Sequence, residues 1–283
     1  MINEQWDGKL TWPAFSGHMP GGEVAWRVLG SGLGLEGGDF CDLLSLQDGS
    51  SLAVCGDVCG RGSWAAADAR MLRDALRQIA SNERSLTRCL RRLNDRLIRE
   101  WRDRPRTTFA TACVAHLRPV DSGLHVIYAS AGHPLPLVLR ADRSITSTGQ
   151  SSGLLGVFPD LPIETNHTIL RPGDALILYT DGVADEIDPY DGSPSLADLI
   201  RGCAGASAQE IGDCVMLAAA EATTETKDDR AVLVIRAGDG DCPAEDRDTS
   251  TTGATSSGPT ENTPTLKQKP SGSTTRVLEA ALR

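Results

Sequence analysis

Two stretches of this chain, SLAVCG at 51–56 and ALILYT at 175–180, are apolar at consecutive positions rather than alternate ones. A strand of that kind has no face that can be left wet, so its sheet must be covered on both sides. Asp48-Gly49, between CDLLSLQ and SSLAVCGDV, is a short hairpin signal, and FATACVAHLR with GLHVIYASAG predicts a second hairpin across PVDS. Hairpins make the pairing antiparallel. Further strands are expected at PLPLVLR, near PIETNHTIL, at DALILYTDG after a Pro172-Gly173 turn, and at RAVLVIRA. SWAAADARMLRDALRQIAS (63–81) and RSLTRCLRRLNDRLIREW (84–101) carry apolar residues at helical spacing, and two more helices are expected around 195–204 and 207–223. The expected fold is an α/β (α+β) sandwich: two packed antiparallel β-sheets flanked by helices.

The compact part is expected over 22–237, after a short N-terminal extension at 1–21. From Gly238 the composition turns to Thr, Ser, Pro, Gly and charge, so 238–283 is expected to be a disordered tail. Its last residues, RVLEAALR, are long enough for a turn or two of helix. All twelve aromatic residues lie at or before Tyr190, which leaves a mostly aliphatic core. A formal net charge of −10 argues against a nucleic-acid partner, and the basic stretch at 88–106 is interleaved with Leu, Ile and acids as on a solvated helix face. No apolar run is long enough to span a membrane, and the N-terminus lacks the pattern of a secretion signal. The eight cysteines form no CxxC and have no histidine at zinc-finger spacing, which suits reduced thiols in a cytoplasmic protein.

Acids recur at the ends of these strands. Asp39 opens the first hairpin, Asp57 closes SLAVCGDV, Asp181 follows ALILYT, and Asp228-Asp229 precede RAVLVIRA. Taken singly, an aspartate beside glycine is an ordinary turn residue. Taken together, acids at strand ends gather at one rim, and clustered carboxylates without a cationic neighbour imply a bound cation. An all-oxygen ligand set selects Mg²⁺ or Mn²⁺ over zinc or copper.

Six stretches resemble one family in order: GGDFCD, GDVCGRG with its following helix, SAGHPLPLVLR, GLLGVFPD, LRPGDALILYTDGVADEID and DDRAVLVI. They are similar to the SpoIIE/RsbU-like branch of the metal-dependent protein phosphatases, the PPM or type 2C family. The resemblance covers about residues 22–237 and implies the sandwich fold and hydrolysis of phosphoserine or phosphothreonine. It implies two Mn²⁺ or Mg²⁺ ions bridged by Asp57, with the Val58 carbonyl as a further ligand. Asp181 and Asp228 would complete the centre, Asp39 would act through a metal-bound water, and Asp229 would stand behind the ligands. Asp57, Asp181 and Asp228 are therefore the expected catalytic residues. The implied reaction is direct attack of a metal-bound hydroxide on phosphorus, with no phosphoenzyme. Gly56, Gly60 and Gly62 are expected to let backbone approach the ions.

The resemblance also implies a phosphorylated STAS-domain protein as substrate, in a partner-switching pathway, with the helices over 63–80 and 84–103 as a regulatory region. The short N-terminal extension leaves control to a protein partner or the tail. Cys59 stands where animal-type members carry a histidine, and is expected to be a packing residue. Ala231 replaces the hydroxyl residue of the usual DDxT, and His133 is expected to hold its loop rather than to catalyse. GLGLEG at 32–37 has no following helix, GGDF lacks its glutamate, and GDVCGRGS is no P-loop. Two other readings stay open: a non-catalytic phosphoprotein-binding module with the same fold, and a phosphomonoesterase acting on small molecules.

Overall fold

Why strands with two apolar faces are stable becomes plain from their neighbours. The computed structural model of the chain describes residues 14–31, 37–104, 108–147, 149–187, 195–222 and 228–238. Sheet one contains β1 (Ala14–Met19), β2 (Gly22–Leu29), β7 (Leu137–Leu139), β8 (Ile145–Thr146), β11 (Ala175–Tyr179) and β12 (Arg230–Ala237). Their order is β1-β2-β12-β11-β7-β8. Sheet two contains β3 (Phe40–Ser45), β4 (Ser51–Val58), β5 (Ala110–Val120), β6 (Gly123–Ala131), β9 (Ser151–Ser152) and β10 (Asn166–Leu170). Here the order is β10-β6-β5-β4-β3, with β9 beside β6. Helices α1 (Gly62–Ala80) and α2 (Leu86–Trp101) cover sheet two, while α3 (Asp181–Ile187), α4 (Leu196–Gly202) and α5 (Ala208–Ala222) cover sheet one.

Alternation sorts each strand between two cores. On β4, Leu52, Val54 and Val58 join the layer under α1 and α2, whereas Ala53 and Cys55 face the space between the sheets. On β11, Ala175 and Ile177 face the helices and Leu176 and Leu178 face inward. β12 divides likewise, with Val232 and Val234 outward and Ala231, Leu233 and Ile235 inward. The result is a helix–sheet–sheet–helix sandwich with antiparallel pairing throughout, apart from one parallel pair, β6 with β9.

The first hairpin closes at Asp48-Gly49, where Gly49 has φ +78° and Ser50 donates to Asp48. The second turns more tightly than expected. β5 runs on through Pro119 and Val120, leaving Asp121-Ser122 as the loop. Strand β1 corrects the expected N-terminal boundary: Ala14–Met19 pairs with β2, and Phe15 stacks on Trp26 at 4.2 Å. AFSGHM lacks apolar alternation because this edge strand is largely exposed, so the sequence pattern concealed it. The expected tail lies outside the described residues except for Gly238. No helix among the described residues is long and apolar enough to cross a membrane.

Polar contacts fasten the helices to the sheets. Arg27 of β2 donates to Asp213 of α5 at 2.6 Å, and Arg77 of α1 grips Asp42 of β3 through both guanidinium branches. Asp68 of α1 pairs with Arg104 just past α2. Asn94 of α2 accepts from Gly156 N at 2.9 Å and donates to the Phe158 carbonyl at 2.8 Å, so its buried amide clamps the loop after β9. Replacing Asn94 with Ala leaves both loop groups without a partner and is expected to cost about 1–3 kcal/mol. A thermal melt followed by circular dichroism checks this; an unchanged midpoint would show that the clamp carries no stability.

Candidate metal centre

The inward-facing rows of side chains change character at one end of the sandwich. Continuing past Ala53 and Cys55, the next inward position of β4 is Asp57; continuing back from Ala231 along β12, it is Asp229. Beyond Leu176 and Leu178 of β11 comes Thr180, and before Cys41 of β3 comes Asp39. The alternation that builds the core therefore delivers polar groups from both sheets to one end. Asp181 and Asp228 stand beside them at the mouth, both exposed, while Asp57 is half-buried and Asp39 and Asp229 are buried.

Each buried acid is held by named donors. Thr180 Oγ1 donates to Asp39 Oδ2 at 2.7 Å and itself accepts from Ala231 N at 2.8 Å. Asp229 accepts from Ser31 N at one oxygen and Gly38 N at the other, both at 2.7 Å. With both oxygens engaged by backbone, Asp229 ties the segment before β3 to β12, which suits a group standing behind the ligands. Asp181 is not a strand residue: β11 ends at Tyr179, and Asp181 begins α3, accepting from Gly182 N at 2.9 Å. Nothing in the residue pattern marks α3 separately, because its seven residues begin one residue after the strand.

The electrostatics are those of crowded like charges. Desolvation, then Asp181, Asp228 and Asp229, push Asp57 up to about 7. Burial foremost, and then Asp57, push Asp39 well above the usual carboxylate range. Asp181 is raised too, by desolvation and then by Asp228. Among the described residues no Lys, Arg or His side chain pairs with any of the five acids.

Glycines set how closely these groups approach. A Cβ on Gly37 would overlap the Asp229 carboxylate, and one on Gly38 would overlap the Val58 carbonyl oxygen and lie 2.5 Å from Asp57 Oδ1. A Cβ on Gly182 would overlap the Asp229 carbonyl. These three let the groups of the site approach one another; of the glycines singled out in the sequence, Gly60 and Gly62 take left-handed φ values of +118° and +72° where the chain turns into α1. Gly56 instead makes room for Phe40 and the Thr111 carbonyl, and nothing lies within 4 Å of a Cβ on Gly62. The Gly-Gly before Asp39 was the available signal.

Cys59 Sγ accepts from Phe109 N at 3.3 Å while Cys59 N donates to Phe109 O at 3.0 Å, so this residue fastens two chain segments. His133 is buried, with Nδ1 2.8 Å from Thr111 Oγ1 and its backbone N and O bonded to Ser130 Oγ. Burial pushes it down to about 3, so it is a neutral brace behind Asp57, which stands opposite Thr111. Ala231 has no hydroxyl to offer, and it is Thr180 that reaches Asp39.

The donor set is oxygen only, desolvated and short of positive charge, which fits a hard divalent cation. As placed, no three of its acids meet within ligating range of one point among the described residues, so an ion would have to draw them together.

Comparison with known proteins identifies relatives. The family model described as stage II sporulation protein E (SpoIIE) matches residues 47–238. That span includes Asp57, Asp181, Asp228 and Asp229, and Asp39 precedes it. Protein IcfG of Synechocystis sp. is 27% identical over 179 residues, 54% of this chain and 27% of that protein. The RsbU and RsbW domains of Rv1364c from Mycobacterium tuberculosis are 29% identical, with a TM-score of 0.59 over 78% of this chain and 61% of that one. The PP2C phosphatase domain and regulatory fragment of SpoIIE from Bacillus subtilis is similar at 18% identity and TM-score 0.63, covering 81% of this chain and 71% of that one. RsbX in complex with magnesium gives 18% and 0.61, covering 80% of this chain and all of that one. The last two similarities concern the fold. The chain spans just over a quarter of IcfG and under two thirds of the Rv1364c chain.

Two outcomes follow from the crowding. Protonated Asp57 is favoured in the fold, so its contribution to metal-free stability is present below its ordinary value of 3.8 and is lost as pH rises through about 7. Metal-free Asp57→Asn is therefore expected to melt several degrees above wild type at pH 8, and Mn²⁺ should raise the wild-type midpoint but not the variant's. A variant that melts lower without metal would refute the repulsion. Thr180→Val, which keeps shape and loses the hydroxyl, is expected to weaken Mn²⁺ binding about tenfold by calorimetry, with Thr180→Ser close to wild type; equal affinities would show that Asp39 needs no orientation.

Proposed function

The chain belongs to the SpoIIE family, a branch of the PPM phosphatases, and on that premise we propose that it is a metal-dependent protein serine/threonine phosphatase. The observation that carries this reading is the delivery of like-charged acids from both sheets to one end, with no cationic side chain among the described residues paired to them. Asp57, Asp181 and Asp228 are the residues assigned to hold Mn²⁺ or Mg²⁺, two ions in all, with the Val58 carbonyl beside Asp57. When bound, such a pair supplies Lewis acidity toward water and the phosphoryl group. The similarity to RsbX, whose structure holds magnesium, supports that choice of ion.

The chain's own residues do the positioning. Asp39 is aimed by Thr180, and Asp229 is fixed by two backbone N–H groups, so neither side chain has to reorganise as charge arrives. Exposed Asp181 and Asp228 leave the mouth open to a phosphorylated side chain carried on a protein. His133, braced on Thr111 and pushed down to about 3, is not an imidazolium at physiological pH, so it is assigned no acid step on the leaving oxygen.

The proposed substrate is a phosphorylated STAS-domain protein of a partner-switching pathway. The resemblance to the RsbU-like branch and the similarity to the RsbU and RsbW domains of Rv1364c support it. A cytoplasmic setting is supported by the seven described cysteines, none of which forms a disulfide among the described residues.

Hydrolysis of p-nitrophenyl phosphate and of a phosphorylated STAS-domain protein, with and without Mn²⁺, tests the proposal. Both rates should need the metal and fall at least a hundredfold in Asp57→Asn and Asp181→Asn. A metal-independent rate, or variants that match wild type, would overturn it; activity on small phosphate esters alone would replace the protein substrate.

A further inference from the structure

The helices over sheet two carry the opposite charge to the chain they belong to. Residues 62–101 hold nine arginines and five acids, a formal +4 within a net charge of −10. The apolar side of α2 is buried from Leu86 to Trp101, so the helical period turns Arg88, Arg91, Arg92, Asp95 and Arg99 to the opposite side, where all five are exposed. One helix surface carries them, and the stripe is continuous over about 12 Å from Arg91 to Arg99. Glu83 takes Arg88 at 2.9 Å, and Arg92 meets that carboxylate only through its field. Arg91, Arg92 and Arg99 make no ion pair among the described residues. Neighbouring guanidiniums repel one another, and carboxylates laid along them relieve that.

The stripe begins at the end of the sandwich away from the acid cluster. α1 starts four residues after Val58, and Asp68 in its second turn pairs with Arg104 just past α2. α2 therefore ends on the side of the cluster and begins about 24 Å back along its axis. β12 runs to the same far end, leaving Asp229 in the cluster and finishing at Ala237. Gly238 N then donates to Gly21 O at 3.0 Å, and a Cβ on Gly21 would overlap Leu124, at the start of β6. α2 packs over β6. Gly238 thus lies at the end where α2 begins, one sheet spacing and one helix layer beneath the stripe. That path is roughly 25 Å, which about eight extended residues cover.

Residues 239–248, outside the described residues, read DGDCPAEDRD, five acids and one arginine. Glu245, Asp246 and Asp248 stand seven, eight and ten residues past Gly238, where that path ends. We propose that these three acids dock on the Arg91, Arg92 and Arg99 face of α2, an intramolecular contact between an acidic segment and a guanidinium stripe. A single exposed ion pair is weak. Here the tether holds the segment at an effective concentration of about millimolar, and several pairs act together. Arginine suits the contact, since its fork takes both oxygens of a carboxylate. While the segment is docked, the face is closed to other acidic partners.

Limited tryptic cleavage of the folded full chain after Arg247 reads the contact, with cleavage after Lys267 as the reference. Arg91→Glu combined with Arg92→Glu is expected to raise the ratio of the two initial rates about tenfold, and so is NaCl at about 0.5 M, which screens the pairs. With Glu245→Gln and Asp246→Asn already present, the arginine changes should raise the ratio less than about twofold, because the carboxylates they would release are gone. Both arginines are exposed, so the fold does not depend on them. A ratio no higher in the arginine variant than in wild type overturns the contact. The same rise with and without the acid-to-amide changes also overturns it. A wild-type ratio that climbs to the variant's on dilution means that the segment binds a second copy, and the intramolecular contact is then wrong.

Discussion

Carboxylates at one end of the sandwich repel one another, and the parts around them hold them together. Asp57 is pushed up to about 7 by desolvation and by three neighbouring acids, and Asp39 is raised by burial and by Asp57. A fold does not retain such a cluster for stability, since separating the charges would relieve it. The surrounding parts act to prevent that separation. Gly37, Gly38 and Gly182 remove the side chains that would hold the groups apart, and Asp229 binds the segment before β3 to β12 across the gap between the sheets. The unfavourable arrangement is held by the aliphatic core between the sheets, whose inward rows lead directly to it.

Much of this was legible from the residues. Consecutive apolar positions in SLAVCG and ALILYT demanded cover on both faces, and the sandwich supplies it through opposite rows of the same strand. The acids could be picked out because each follows or precedes such a strand. Their grouping follows from parity: Asp57 lies two positions beyond Cys55, and Asp229 two before Ala231. Less legible were features set by contacts far apart in sequence. The role of Thr180 needs Asp39, 141 residues away, and the brace at His133 needs Thr111. Strand β1 was missed because an exposed edge strand owes its place to backbone pairing with β2 and carries no apolar pattern.

Departures from the family pattern are absorbed locally. Ala231 contributes a backbone N–H to Thr180, whose single proton is thereby directed to Asp39. Cys59 exchanges two hydrogen bonds with the Phe109 backbone, which anchors the turn between β4 and α1 just where the chain leaves the acid cluster.

A divalent cation entering this site should replace protons on a crowded set of acids. Calorimetric titration of the full chain with Mn²⁺ at pH 6, in two buffers of different ionisation enthalpy, measures that exchange directly. With Asp57 pushed up to about 7, binding should release about one proton per chain, so the observed heat should differ between the buffers. Binding with the same heat in both buffers, or no binding at all, would contradict it.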